Sequence, residues 1–229
     1  MATDRETTRN YERWFLTGEG MYTDEKQKEL LINTARFKRG ERVLEIGCGT
    51  GRMMEYLCDL GLDAAGVEPV EELVKKARQK SGIRKDQIIR APYSALPLGD
   101  GSFDNVIFMN TFAFADDREK TLKEAWRVAS RQVCIGFLNR YSLTRLFKVK
   151  ARKEVYSDAY PLSGSELTGI VSRALKGENY RLNTAYTLFL PIQIAHFVPF
   201  VDDLLEKTRL PFGDFGVMVI GKLKTESLK

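Results

Sequence analysis

Gly47, Gly49 and Gly51 alternate with Cys48 and Thr50 directly after the short run at 43–46, in the stretch VLEIGCGTGR. A strand that runs into such a loop and then into a helix gathers backbone N–H groups and a helix N-terminus around one small cavity. Glycine is needed there because a β-carbon would hold a ligand away or strain the turn. The same turn could also serve only to pack strand against helix. A second signal lies in AGVEP, where Glu68 stands 17 residues beyond Gly51, near the spacing of roughly 20 at which a carboxylate accepts both hydroxyls of a ribose. Together they point to a nucleotide-like ligand. The pattern EIGCGTG is one residue tighter than the G-x-G-x-x-G of dinucleotide sites, and the loop holds no lysine, which excludes a P-loop.

Other residues could act on a second molecule. His196, in IQIAHFVPF, is the only histidine; its ordinary pKa near 6.5 suits a general base, although a histidine among apolar neighbours also serves as a packed structural residue. Trp14, Tyr22, Phe112, Phe114, Phe197 and Phe200 could line an apolar or aromatic pocket or belong to the core. No carboxylate cluster suggests a divalent cation, so no metal is expected.

These residues need a scaffold. From Glu41 onward, apolar and β-branched runs alternate with helical patterns, the signature of a parallel sheet flanked by helices. RVLEIG, DAAGVE, DQIIRA, FDNVIFMN and QVCIGFLN read as five strands, with helices near 51–59, 70–80 and 117–129. The last carries Leu122, Ala125, Trp126 and Ala129 at helical spacing, so Trp126 reads as packing. Ser163 or Ser165 could cap a further helix. A sixth strand in NYRLNTAYTLFL, an irregular insertion at 191–213 and a seventh strand FGVMVIGKL close the chain as a hairpin-like pair. Two N-terminal helices, 4–15 and 24–37, are expected, with Trp14, Phe15 and Tyr22 around their junction. One domain over 1–229 is expected: a helical cap (1–40), a ligand-binding core (41–139) and a second half (140–229).

The composition, 43% hydrophobic and 29% charged, is that of an ordinary globular chain. The opening residues lack the apolar core of a secretory signal, and the uncharged run at 182–201 contains Pro191, Pro199, Asn183, Gln193 and His196, which makes a membrane span improbable. A cytoplasmic location follows as an expectation. Cys48, Cys58 and Cys134 are odd in number and without metal-ligand spacing, so they read as reduced, small core residues. The formal charge of +5 reads as a solubility feature or as an attraction for anions. Its densest part is the segment at 140–153, where Arg140, Arg145, Lys148, Lys150, Arg152 and Lys153 interleave with Tyr141 and Phe147; this is a solvated connector, a footprint for an anionic or lipophilic substrate, or an RNA-binding surface.

The residues resemble the class I S-adenosylmethionine-dependent methyltransferases. VLEIGCGTG looks like the first motif of that family, GVEPVEELVKKAR its second, and ALPLGDGSFDNVIFMN its third and fourth, across roughly 41–138. More loosely, the flanks resemble the ubiquinone and menaquinone biosynthesis subgroup. The resemblance implies a Rossmann-like α/β fold: a seven-stranded, mostly parallel sheet with a final antiparallel strand, helices on both faces and an N-terminal helical cap. It implies S-adenosyl-L-methionine as cofactor and S-adenosyl-L-homocysteine as product. Gly47, Cys48 and Gly49 would line the methionine part, Gly51 would open the helix, and Glu45 would support the amino group. Glu68 would hold the ribose hydroxyls with Pro69 against the adenine, and Asn110 stands where a backbone carbonyl meets the cofactor's ammonium. Pro92 occupies the place of the aspartate that receives the adenine amino group in many relatives, leaving Tyr93 N–H and the Ser94 hydroxyl to bind the base.

Methyl transfer from a sulfonium is an in-line displacement, so alignment and exclusion of water matter most, and a base is needed only for a protonated acceptor. NTFAFAD, after the fourth strand, lacks the Asn-Pro-Pro-Tyr type of motif that grips a planar amine. A small aromatic or lipophilic metabolite is the expected acceptor. An RNA methyltransferase and a non-catalytic cofactor-binding protein are the alternatives, and a monomer or homodimer is expected.

Overall fold

The computed structural model describes residues 12–80, 82–146, 160–191, 195, 198–208 and 210–223. Seven strands form one sheet: β1 (Arg42–Ile46), β2 (Asp63–Val67), β3 (Ile88–Ile89), β4 (Phe103–Met109), β5 (Ala129–Leu138), β6 (Tyr180–Thr187) and β7 (Phe215–Lys222). Their order is β3-β2-β1-β4-β5-β7-β6. β7 runs antiparallel to both β5 and β6, while β1 to β5 pair in parallel. All seven strands read from the sequence are present, and the fold is the Rossmann-like one expected.

The apolar runs become strands because both faces of the sheet are covered. Val43, Leu44 and Ile46 of β1 and Val106, Ile107 and Phe108 of β4 have no exposed surface, the pattern of strands in the middle of a parallel sheet. Helices α4 (Arg118–Val128) and α5 (Gly164–Ala174) cover one face through Leu122, Ala125, Trp126, Leu167 and Val171. Helices α1 (Gly18–Ala35) and α2 (Arg52–Asp59) cover the other through Leu30, Leu31, Ala35, Met53 and Leu57. Trp126 is core, as read, with its Nε1–H donating to Glu178 at 3.2 Å.

Local chemistry sets the boundaries. Ser163 rather than Ser165 caps α5, in a capping box with Glu166. Asp117 caps α4, whose last residue, Val128, leads straight into β5. The helix read over 70–80 is shorter, α3 (Glu71–Ala77). The strand read in DQIIRA keeps only two paired residues, because Lys85–Gln87 winds into a 3-10 turn.

Two expectations change. The second N-terminal helix starts at Gly18, not 24: the Thr17 hydroxyl accepts from Gly20 N–H at 3.1 Å, so Tyr22 lies on the helix rather than before it. The segment at 191–213, read as irregular, contains helix α6 (Pro199–Lys207) with proline in its first turn, where its missing N–H costs nothing. Most of the first N-terminal helix, at 4–15, lies outside the described residues. No helix among the described residues is long and apolar enough to cross a membrane.

Candidate functional site

The strand order reverses at β1, which has β2 on one side and β4 on the other. In open α/β sheets the crevice at the carboxyl ends of such strands is where ligands bind. The glycine loop follows β1, Glu68 follows β2, Tyr93 and Ser94 follow β3, and Asn110 follows β4. The topology brings these sequence-read residues to one edge.

The three glycines differ in what they face. All have positive φ, at 79°, 54° and 81° for Gly47, Gly49 and Gly51. A β-carbon on Gly47 would lie 2.6 Å from the Thr111 side chain, and one on Gly51 would lie 2.7 Å from Ile83 Cδ1, whereas one on Gly49 would meet nothing within 4 Å. Gly47 is therefore required by the protein's own packing, whereas at Gly51 the overlap is with the movable end of Ile83 and the positive φ is what favours glycine. Gly49 is the one with an open side. Thr111, behind the loop, is held by its hydroxyl donating to Ile46 carbonyl at 2.7 Å.

Glu68 is folded back onto this loop. Its Oε2 accepts from Gly49 N–H and its Oε1 from Val70 N–H, each at 3.0 Å. The carboxyl is buried, which raises its pKa, and the two N–H groups oppose that rise. Each oxygen of an ionised carboxylate keeps a further lone pair, so both can still accept a hydroxyl.

Glu45 lies beneath, 3% exposed, with its Oε2 lacking any hydrogen-bond partner. Burial first, then the Glu68 charge, push its pKa up to about 8, against a smaller opposing pull from Lys28 on α1. The sign of the linkage follows. The folded pKa exceeds the unfolded one, so the folded state holds the extra proton, and this group's contribution to stability is complete below about pH 4.5 and lost as pH rises to about 8. Glu45→Gln is expected to keep near wild-type stability at pH 6, where it mimics the protonated acid, and to flatten the decline in melting temperature between pH 5.5 and 8.5. Parallel melting curves for the two proteins across that range would rule the assignment out.

Tyr93 sits near the same groups: burial raises its pKa most, and Glu68, Cys48 and Glu45 add to it. Pro92 is exposed, its carbonyl closing a turn with Ala95 N–H, and Pro69 and Ser94 are half-buried. Cys48 is buried and its thiol raised well above the ordinary range by burial. Cys134 is likewise buried and pushed up to about 12, and Cys58 is half-buried. All three are free thiols.

The N-terminal helix, read from the sequence as a cap with Trp14 and Tyr22 as pocket candidates, contacts the glycine loop's helix. Asp24 pairs with Arg52, the residue after Gly51, at 2.6 Å, and the Arg52 guanidinium lies 3.8 Å from the Phe15 ring centroid. On its other flank Lys26 bonds Asp203 at 2.6 Å and Tyr22 Oη lies 3.4 Å from Asp202 Oδ2. Burial first, then Asp202, push the Tyr22 phenol up to about 12. Asp202 is fully buried and accepts from the N–H groups of Phe189 and Leu190, which fixes α6 to the end of β6. Helix α1 thus bridges the glycine loop and α6. Gln27 is 4% exposed on this helix, and Thr23, Gln27, Leu31 and Ala35 fall at i, i+4, i+8 and i+12; that spacing was the signal that could have placed it inward.

The aromatic candidates are dispersed. Trp14 packs edge-on against Phe15 at 4.9 Å, beside the glycine loop's helix. Tyr22 faces α6, and Phe114 is half-buried. Phe112 is 1% exposed in the core, edge-on to Phe108 at 5.2 Å, and Phe200 is 69% exposed. His196 and Phe197 lie outside the described residues, as do Lys148, Lys150, Arg152 and Lys153 of the basic segment. Of that segment's described cations, Arg140 pairs with Glu166 at 2.7 Å and donates to Pro161 carbonyl. Among the described residues no three His, Cys, Asp or Glu side chains cluster as metal ligands.

Residues 44–133 match the family model described as "Methyltransferase domain". The chain is similar to an uncharacterized protein of Methanocaldococcus jannaschii, 31% identical over 162 residues, which is 69% of this chain and 72% of that one. It is also similar to an uncharacterized methyltransferase of Geobacillus sp. strain WCH70, 34% identical over 103 residues, 42% of this chain and 48% of the relative. Among solved structures, a Thermotoga maritima S-adenosylmethionine-dependent methyltransferase, described as a possible histamine N-methyltransferase, superposes with a TM-score of 0.66 at 25% identity, covering 95% of this chain and 97% of that one.

Proposed function

We propose that this chain, whose residues 44–133 match a methyltransferase domain, is a class I S-adenosylmethionine-dependent methyltransferase that transfers a methyl group to a small metabolite, aromatic or lipophilic in its bulk, by in-line displacement. The observation that carries the reading is the pairing of α1 with α6 over the carboxyl edge of the sheet, through Lys26–Asp203 and Tyr22–Asp202. A strapped cover of this kind suits an acceptor that enters a closed space. It does not suit a polymer laid across an open groove. The engagement of Arg140 with Glu166 points the same way, because that cation is already spent within the chain.

The residues present fit the cofactor. The open side of Gly49 admits close approach of a ligand's main chain, Glu68 has lone pairs for two ribose hydroxyls, and the unpartnered Glu45 Oε2 suits an ammonium. When bound, S-adenosylmethionine supplies a methyl group on a positively charged sulfur, already activated for displacement. The protein's part is to bind, orient and keep water out. Glu45, held protonated in the free protein by burial, would ionise against the cofactor's ammonium, and Glu68 would receive the ribose hydroxyls. Helices α1 and α6 exclude solvent from the acceptor side. His196 is the candidate base for an acceptor that arrives protonated. Pro92 offers the adenine no carboxylate, so base recognition falls to Tyr93 and Ser94.

The test is an acceptor panel of phenols, quinols, amines and carboxylic acids incubated with cofactor, read as acceptor-dependent S-adenosylhomocysteine. Turnover with one chemical class and none with RNA is the expected result. Methylation of RNA, with binding that weakens steeply with salt, would overturn the small-molecule reading.

A further inference from the structure

Three buried polar atoms at this edge of the sheet have no partner: Gln27 Nε2 on α1, Asn110 Oδ1 after β4, and Glu45 Oε2 on β1. Buried donors and acceptors are almost always satisfied, and leaving one unpaired forfeits its hydration without return. Two of the three belong to side chains that touch each other, since Asn110 Nδ2 donates to Gln27 Oε1 at 3.2 Å. That single bond leaves one amide with a spare donor and the other with a spare acceptor. Asn110 also holds a left-handed backbone, at φ 63°, a conformation costly for residues other than glycine and most tolerable for asparagine. Its neighbour Thr111 abuts Gly47, and Lys28, one residue beyond Gln27, acts electrostatically on Glu45. Gln27 thus adjoins Asn110, Asn110 adjoins the glycine loop through Thr111, and Glu45 stands on the strand that leads into that loop.

The group that satisfies one donor and two acceptors is itself an acceptor beside a multiple donor. A carboxylate next to an ammonium has this pattern, and the amino-acid end of the cofactor carries it. We propose that Gln27 Nε2 binds the carboxylate of the cofactor's methionine moiety, beside the ammonium site at Glu45 and Asn110 that the family resemblance already implies. The assignment rests on the reading of the chain as a binder of S-adenosylmethionine and deepens it. Helix α1 then becomes a wall of the cofactor site as well as a cover, and cofactor binding pins the same helix that pairs with α6.

The experiment is calorimetric titration of the full chain, as wild type, Gln27→Leu and Gln27→Glu, with three ligands: S-adenosylhomocysteine, its decarboxylated analogue, and 5′-methylthioadenosine, which lacks the amino-acid end. Loss of one hydrogen bond to a charged group predicts that Gln27→Leu binds S-adenosylhomocysteine roughly 10- to 100-fold more weakly. Both truncated ligands should bind wild type and variant within about twofold, because neither offers the carboxylate that the bond needs. Gln27→Glu, nearly isosteric, should be weaker still for S-adenosylhomocysteine, because it sets one carboxylate against another. An equal loss for all three ligands would show that Gln27 only holds the helix in place and would overturn the proposal. So would unchanged affinity for S-adenosylhomocysteine in both variants. If wild type binds none of the three ligands, the cofactor reading itself fails, and this assignment with it.

Discussion

A Gly49→Arg variant is expected to fold and melt within a few degrees of wild type while losing at least about 100-fold in affinity for S-adenosylhomocysteine; Gly47→Ala and Gly51→Ala should do the reverse, melting early. The contrast comes from what each missing β-carbon would meet. At Gly49 nothing lies within 4 Å, so a side chain costs the protein only the left-handed backbone, about 1–2 kcal/mol, but it projects into the space kept for the ligand. At Gly47 that same backbone cost is joined by overlap with Thr111 Cβ at 2.6 Å, adding about 1–3 kcal/mol, whereas at Gly51 the overlap is with the far end of Ile83, which can turn aside, and the backbone cost dominates. For a chain of this size each kcal/mol shifts the melting temperature by roughly 2–4 °C. Gly47→Ala should therefore melt about 5–15 °C early and Gly51→Ala about 2–8 °C early. Cofactor titration and thermal unfolding of the three proteins side by side decide the matter. Wild-type affinity in Gly49→Arg would place the ligand elsewhere.

That contrast was invisible in the sequence, where the three glycines look alike. What the sequence does carry is spacing along one chain: strand, glycine turn, helix, and then a carboxylate at the end of the next strand. These local regularities place Gly49 and Glu68, and their meeting at 3.0 Å follows from the parallel pairing of β1 with β2. The errors arose where local propensity and tertiary packing disagree. Gly18 and Gly20 are poor helix residues, so α1 reads as starting at Asp24. Yet a β-carbon on Gly20 would lie 1.9 Å from Trp14 carbonyl oxygen, so glycine is the residue that lets Trp14 and Phe15 fold back against the first turn. Pro199 reads as a breaker in the insertion and instead opens α6. Gln27 and Arg52 act only through partners far away in the chain, Asn110 and Asp24. No spacing rule within their own segments announces either partner.

Glu68→Ala should lose about 100-fold or more in cofactor affinity, and the reason lies in how the carboxylate is already committed. Its two oxygens each accept one backbone N–H, from Gly49 and Val70, which fixes the carboxylate plane against the loop and leaves lone pairs directed away from those donors. Two hydroxyls of a ribose can then be received by a preorganised acceptor, each such bond to a charged group being worth about 1.5–3 kcal/mol. Alanine removes both bonds and leaves the Gly49 and Val70 N–H groups without their acceptors. Glutamine is no neutral control: one end of its amide is a donor, so it must turn an NH2 group toward either Gly49 N–H or Val70 N–H. Glu68→Gln should thus lose affinity too, by roughly 10-fold, through one broken loop contact and one lost acceptor. Stability should move less than binding in both variants, because burial already raises the carboxyl's pKa and removing the charge relieves that cost while the lost N–H bonds oppose it. Titration with S-adenosylhomocysteine and with adenosine separates the effects: a ribose contact predicts that both ligands weaken by the same factor. Weakening of S-adenosylhomocysteine alone would move Glu68 from the ribose to the amino-acid end.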